Sequence, residues 1–390
     1  MRDDYLLLNP GPVPLTRAVR EAMAEPMVSH RSDAFEAVYE RAQDHLEYVF
    51  THSAPDGSQT TGGGTALVLN GTATMGMEAA VANAVDDDGE VVAVVNGKFG
   101  RRFERIADRH ASVHTVAFDW GDPVDVDEVA AAVADDTDVV TAVHNETSTG
   151  LLNPIPEIGA VAAEHDATFV VDGVTSIGGD EFRIDDWHVD VAITDAQKAL
   201  AAPPGVSAMY VTGDAEADID GDRAPFYEDL DWHLRKAESH QTPFTSAVPL
   251  FRGLAVALAD IREEGMPARI ERHREQARAF REAFRAMGLE SFPTPNEDSA
   301  YSNTVTAIAL PESIRGADSA PFFEAVEDRG VSISGGQAHL DGEVFRVSNM
   351  GGLSSEQVLR GVRTVGEAMR AAGVAVDADA GLDRAREILR

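Results

Sequence analysis

The sequence predicts an α/β protein: a large domain on a mostly parallel sheet flanked by helices, followed by a smaller C-terminal α+β domain. Three observations predict it. First, β-branched apolar runs alternate with helical patterns as far as residue 211, the signature of strands joined by crossover helices. Second, these runs are continuously apolar, as strands covered on both faces require. Third, after about residue 250 the pattern changes to long amphipathic helices and short strands. The boundaries that follow are 1–20 for an N-terminal segment, 21–258 for the large domain and 259–390 for the small one.

In chain order, ALVLN (66–70) predicts a strand, and GTATMGMEAAVANAV a turn and a helix. EVVAVVNG (90–97) and KFGRRFERIADRH repeat the pair. DVVTAVHN (138–145) leads through a loop to the helix PIPEIGAVAAEHD. ATFVVDG (167–173) and DVAITDAQK (190–198) are two further strands, and GVSAMYV (205–211) is the next, its direction left open. The amphipathic stretches RGLAVALADIREEG and PARIERHREQARAFREAFRAMG follow. Then come the strand NTVTAIAL (303–310), a helix around SAPFFEAVEDRG, a short strand VSIS, the strand EVFRVSN (343–349) and a final helix from SSEQVLRGV. APDGSQTTGGGT (54–65) is a flexible loop by composition, and the glycines at 62–64 resemble an insertion.

The composition narrows the function. The 390 residues carry a net charge of −35, spread along the chain rather than gathered in a tail. That suits a folded protein with a carboxylate-rich, salt-adapted surface and disfavours nucleic acid as a partner. No cysteine is present, which removes disulfides and thiolate–metal sites. No apolar run approaches a membrane span and the N-terminus lacks a secretory apolar core, so a soluble cytoplasmic protein is expected. Only three of the 32 basic residues are lysines: Lys98, Lys198 and Lys236.

Ligands of open α/β sheets sit beyond the carboxyl ends of the strands. The polar residues predicted at those ends are Gly71 to Thr74, Asn96 to Phe99, His144 to Ser148, Asp172, and Thr194 to Lys198. The helix opening at Thr72 offers free N–H groups and a dipole to an anion. Asp172 follows four apolar residues and needs a cationic or donor partner. Lys198, 26 residues later, supplies either a simple ion pair or the second half of a cofactor site. In the latter, the carboxylate holds a protonated pyridine nitrogen and the lysine forms an imine. A phosphate cup, an acid and a lysine around one planar group describe pyridoxal 5′-phosphate (PLP).

With these residues, the chain resembles the class V, fold-type I PLP-dependent aminotransferases, in particular the alanine–glyoxylate and serine–pyruvate group. The resemblance covers nearly the whole chain. It runs through LNPGPVPLTRAVREAMAEPMVSHRSDAF, GTATMGMEAAVANAV, NGKFGRR, HNETSTGLLNPI, VVDGVTSIGG, DAQKALAAPPG, QTPFTSAVPLFRGL and FRVSNMGG.

The resemblance implies that Lys198 is the Schiff-base lysine, a task closed to arginine because of its far higher pKa. It implies that Asp172 pairs with the pyridine nitrogen, that Phe99 and Val174 cover the two ring faces, and that Thr147 bonds the ring edge. Thr72, Ala73, Thr74 and Gln197 would hold the phosphate. Gln241 and Thr242 would complete that cup from a partner subunit, so a homodimer is implied. Arg346 would grip the substrate carboxylate, and Gly11 would line the substrate site. No metal is implied. Alanine or serine is the expected donor and glyoxylate or pyruvate the acceptor; aspartate or ureidoglycine donors, or a lyase on the same scaffold, stay open. A desulfurase would need a cysteine nucleophile, and a non-catalytic protein would have no use for the Asp172–Lys198 pair. Two positions depart from the family pattern: Ala73 stands where glycine is frequent, and Phe99 where many relatives have tryptophan. The roles of His30, Arg31 and His144 are left open.

Overall fold

The computed structural model describes residues 5–390 apart from 61–62, 87, 220 and 222. Its centre is a seven-stranded sheet. In chain order the strands are β1 (Thr65–Asn70), β2 (Glu90–Val95), β3 (Ser112–Ala117), β4 (Val139–Val143), β5 (Thr168–Asp172), β6 (Val191–Asp195) and β7 (Val206–Val211). In space they run β1-β7-β6-β5-β4-β2-β3. All neighbours are parallel except β7, which is antiparallel to both β1 and β6. The direction of the 205–211 strand, open in the sequence, is therefore reversed. As a result β1, β2, β4, β5 and β6 all end on one edge of the sheet.

The apolar runs are buried as their continuity predicts: every residue of β4, β6 and β7 is inaccessible. β3 was not expected. Its exposure alternates and it carries His114 and Thr115, because it is the outer strand and only one face meets the core.

Helices cover the sheet: α1 (Arg17–Met23), α2 (Asp33–Thr51), α3 (Ala73–Ala84), α4 (Gly100–Ala107), α5 (Val126–Ala132), α6 (Ile155–Glu164), α7 (Gly213–Asp218), α8 (Leu230–Ala237) and α9 (Val248–Glu264). α2 and α9 pack through aromatic side chains, with the Phe35 and Phe251 rings 5.4 Å apart. α10 (Met266–Ala286) contributes Ile270 to this first core and Phe280 and Phe284 to a second.

That second core lies between α10, α11 (Ala320–Asp328), α12 (Ser355–Ala371), α13 (Ala378–Ile388) and a three-stranded sheet of β8 (Val305–Ala309), β9 (Ser334–Gly335) and β10 (Val344–Ser348). Phe345 sits at its middle, 5.5 Å from the Phe284 ring and 5.3 Å from Phe322. α12 opens with a reciprocal cap between Ser354 and Gln357.

The N-terminal segment ties the two cores together. Leu6 and Leu8 lie in the second core, and Leu6–Leu7 pairs in parallel with Val331 and Ser332. A few residues on, Val13 N donates to Gln197 O at 3.2 Å, beside the end of β6. The 54–65 loop is anchored through Arg183, which bonds Ser58 Oγ and Asp56; Thr61 and Gly62 lie outside the described residues.

Candidate active site

The strand ends on the shared edge bring together most of the residues picked out by the sequence. Asp172 closes β5 and is buried. Its Oδ1 accepts from Val174 N at 2.8 Å, a bond made by the chain turning immediately after the strand. Its other oxygen has no hydrogen-bond partner among the described residues. Burial pushes the carboxyl up to about 7, against the pull of the Val174 N–H.

Lys198 follows β6 in a turn whose backbone closes from Lys198 N to Asp195 O. It forms no ion pair with Asp172 among the described residues, which disposes of the simple-pair reading. Its Nζ donates instead to Pro10 O at 2.5 Å. Burial lowers the ammonium below the ordinary lysine value. Asp195 and Asp172 oppose that shift, and Arg346 and Arg102 add to it. Gly11 lies against this side chain: a Cβ there would come within 2.5 Å of Lys198 Cδ, and the residue has φ +88°. Glycine is thus required on both counts, and Gly11 packs against the Lys198 side chain.

The other assigned residues fall around this pair. Val174 is buried next to Asp172. Thr147 Oγ1 bonds Thr175 Oγ1 at 3.0 Å. Arg346 lies on β10 and is buried; Nη1 donates to Thr147 O, and Nε and Nη2 to Gly335 O. These carbonyls fix the plane of the guanidinium without neutralising it, and it has no ion-pair partner among the described residues. Burial lowers it to about 10, opposed by the charge of Glu146.

Two residues named only as part of the rim, or not at all, organise the Phe99 side. Glu146 is fully buried. It accepts from Phe99 N, Gly100 N, Ser148 N and Ser148 Oγ, so it caps α4 and sets the backbone that presents Phe99. Gly97 is needed for that approach, since a Cβ would meet Glu146 at 2.2 Å. Arg102 lies over the Phe99 ring, 4.8 Å from its centroid, and donates to Thr74 Oγ1 at 2.8 Å. Both residues stand in quoted motifs, but Glu146 reaches Phe99 and Arg102 reaches Thr74 across tens of residues of sequence.

At the opening of α3, Thr72 occupies the cap position without a side-chain cap bond. Ala73 N, expected to face a phosphate, donates to Asp195 Oδ2 at 3.1 Å, and Gln197 Nε2 donates to the same atom at 2.7 Å. The cup's donors thus converge, but on a carboxylate of the chain itself.

Gln241 and Thr242 stand apart from Lys198. Arg31 holds them, donating to Gln241 Oε1 and to the carbonyls of Thr242 and Pro243, while Gln241 Nε2 donates to Glu36. Arg31 therefore shapes the QTP loop from within the chain. His144 is caged by Phe182 and Trp187 and bonded to Ser176 Oγ at 2.9 Å. Burial pushes it down to about 3, which favours the neutral ring.

A buried acid with an open oxygen and a half-buried lysine close the ends of neighbouring strands. The family model for class-V aminotransferases matches residues 17–355. This chain is a class-V aminotransferase. It is 36% identical to an uncharacterized aminotransferase of Methanocaldococcus jannaschii, over 98% of this chain and 97% of the relative. It is 30% identical to an L-aspartate–glyoxylate aminotransferase of Paracoccus denitrificans, over 98% and 95%. The crystal structure of pyridoxamine–pyruvate aminotransferase from Mesorhizobium loti superposes with a TM-score of 0.89 at 28% identity, covering 98% of this chain and 96% of that one. The enzyme is accordingly a PLP-dependent transaminase of fold type I. The residues fit that cofactor at the ring end, where Asp172 keeps an oxygen for a ring N–H and Lys198 has no carboxylate partner. No helix among the described residues is long and apolar enough to cross a membrane.

Proposed function

We propose that this aminotransferase moves the amino group of a small amino acid, alanine or serine, to a small 2-oxo acid, glyoxylate or pyruvate, in two half-reactions. The observation that carries the reading is the pairing of Asp172 and Lys198 on neighbouring strand ends, with Arg346 held flat and unneutralised nearby.

PLP, when bound, supplies an aldehyde that condenses with amines and a ring that draws electrons from the substrate Cα. The chain's residues do the rest. Lys198 would hold the aldehyde and would serve as the group that takes and returns the Cα proton; burial favours the neutral amine this requires. The free oxygen of Asp172 would keep the ring nitrogen protonated. Phe99 and Val174 would cover the ring faces and Thr147 its edge. Arg346 takes the α-carboxylate through its fork, and Gly11 leaves room beside Lys198.

Thr72, Ala73, Thr74 and Gln197 hold the phosphate, and Gln241 and Thr242 complete the cup in a second copy of the chain, making the enzyme a homodimer. The division at 20 and 258 serves as the working domain map. The charge of −35 supports a salt-adapted cytoplasmic setting.

A second reading, aspartate as donor, is supported by Lys98. It follows β2 beside Phe99, and burial, then Arg102 and Arg346, lower its pKa. A cation that feels the charge of Arg346 suits a distal carboxylate.

The test is an absorbance spectrum of the holoenzyme in high salt. A visible-edge band that collapses with L-alanine and returns with glyoxylate supports the small-donor reading. Collapse only with L-aspartate moves the assignment to the second. No band with added PLP overturns both.

A further inference from the structure

The phosphate end of the site holds a group that a phosphate-binding cup does not need. Asp195 closes β6, three residues before Lys198, and is 4% exposed. Its Oδ2 takes the Ala73 N–H and the Gln197 amide, two donors that a phosphate would claim. Its Oδ1 is enclosed and has no hydrogen-bond partner among the described residues. A carboxylate and a phosphate dianion side by side in a poorly solvated site repel strongly. With only 4% of the residue exposed, swinging the carboxylate into water would break both of its bonds and unpack the end of the strand.

A proton on Oδ1 removes the conflict. The orphan acceptor becomes a donor, and Oδ2, no longer charged, can yield Ala73 and Gln197 to the phosphate. The charged group that acts on Asp195 is Lys198 on its own turn; on the adjacent β5, Asp172 lies opposite Ile193, two residues back along β6. Ser207, opposite on β7, offers only an unpartnered hydroxyl. Burial already favours the neutral acid, against the Ala73 and Gln197 bonds and the Lys198 charge.

Resting on the cofactor reading above, we propose that Asp195 receives the PLP phosphate as a carboxylic acid, so that cofactor loading takes up one proton from solvent at this side chain. No other bond is made or broken in that step.

The experiment compares the apoprotein with its D195N variant in high salt. PLP is titrated between pH 6 and 9, with Kd read from the visible-edge band. Proton uptake is read by calorimetry in two buffers of different ionisation enthalpy. The amide supplies a permanent donor, so the ratio of wild-type to variant Kd should rise with pH, approaching about tenfold per unit. The wild type should take up about one proton more. D195S, which also removes the charge, should follow D195N and serves if the amide disturbs folding. Pyridoxal, which lacks the phosphate, should give a ratio flat in pH.

A pH-independent ratio with PLP, equal proton uptake, or the same slope with pyridoxal would each overturn the proposal while leaving the cofactor reading intact. Absence of the band from wild type and variants alike overturns the cofactor reading, and this inference with it.

Discussion

The two ends of the site use a buried carboxylate in opposite ways. At the ring end, Asp172 spends one oxygen on its own backbone turn and leaves the other open. At the phosphate end, Asp195 gathers two donors onto one oxygen and seals the other inside the protein. Burial raises both carboxyls, yet only the first is arranged to receive a donor from outside. What a buried acid does is therefore set less by its burial than by which of its lone pairs the fold has already used.

The comparison is broken most severely at Lys198. Lys198→Ala should reduce turnover by about 10⁴-fold or more, since it removes the acid–base group altogether. The variant should still bind PLP non-covalently, seen as a free-aldehyde spectrum. Survival of half the turnover would remove Lys198 from the chemistry.

Asp172→Asn should cost about 10²–10⁴-fold in rate, because an amide cannot hold the ring proton. The same change should stabilise the apoprotein above neutral pH. The folded carboxyl titrates near 7 against an ordinary 3.8, so the folded chain keeps a proton that the unfolded chain has already released. The stability linked to this group is complete below the ordinary value and is lost as pH rises through about 7. Thermal melts of wild type and D172N should thus converge at low pH and separate at pH 8, with D172N the more stable. Coincident melts at both values would show that the buried acid costs the fold nothing.

Arg346→Lys should raise KM for the amino acid by about 10- to 100-fold with a smaller change in kcat, as a lysine cannot reproduce the two-pronged grip. Lys98→Ala sharpens the donor question. It should weaken aspartate turnover about tenfold if that side chain meets a distal carboxylate, and should leave alanine turnover untouched.

The smallest effect is expected at His144. His144→Phe keeps the aromatic contacts with Phe182 and Trp187 but removes the 2.9 Å bond to Ser176 Oγ, which retains only Gly173 O, costing about 1 kcal/mol at pH 8. The native histidine is held neutral, titrating near 3 instead of 6.5. Its stabilising contribution is therefore lost as pH falls from 6.5 toward 3, and H144F should unfold less readily in acid than that loss predicts. A large drop in turnover for H144F would return the residue to the active site.

Much of this arrangement was legible in the sequence. Continuous apolar runs marked the inner strands, and the polar residues following them marked the edge that carries the site. The outer strand 112–117 was missed because its alternation of buried and exposed residues, on a single covered face, is a weak signal over six positions. Glu146 was visible only as one more polar residue on the rim, and Arg102 and Arg31 only as charges. Each earns its role through a partner distant in the chain: Glu146 through Phe99, Arg102 through Thr74, Arg31 through Gln241.

The sequence alone determined the alternation of strands and helices, the sheet edge on which chemistry gathers, and the placing of a scarce lysine where an arginine could not serve. Those are properties of local periodicity and of side-chain chemistry, and they need no knowledge of neighbours. Only the tertiary structure decided that Lys198 leans on Pro10 instead of Asp172, that Glu146 presents Phe99, and that Asp195 occupies the donors of the phosphate cup. Hydrogen bonds of that kind join residues brought together by folding. Their geometry is fixed by how whole elements pack, which no single stretch of sequence encodes.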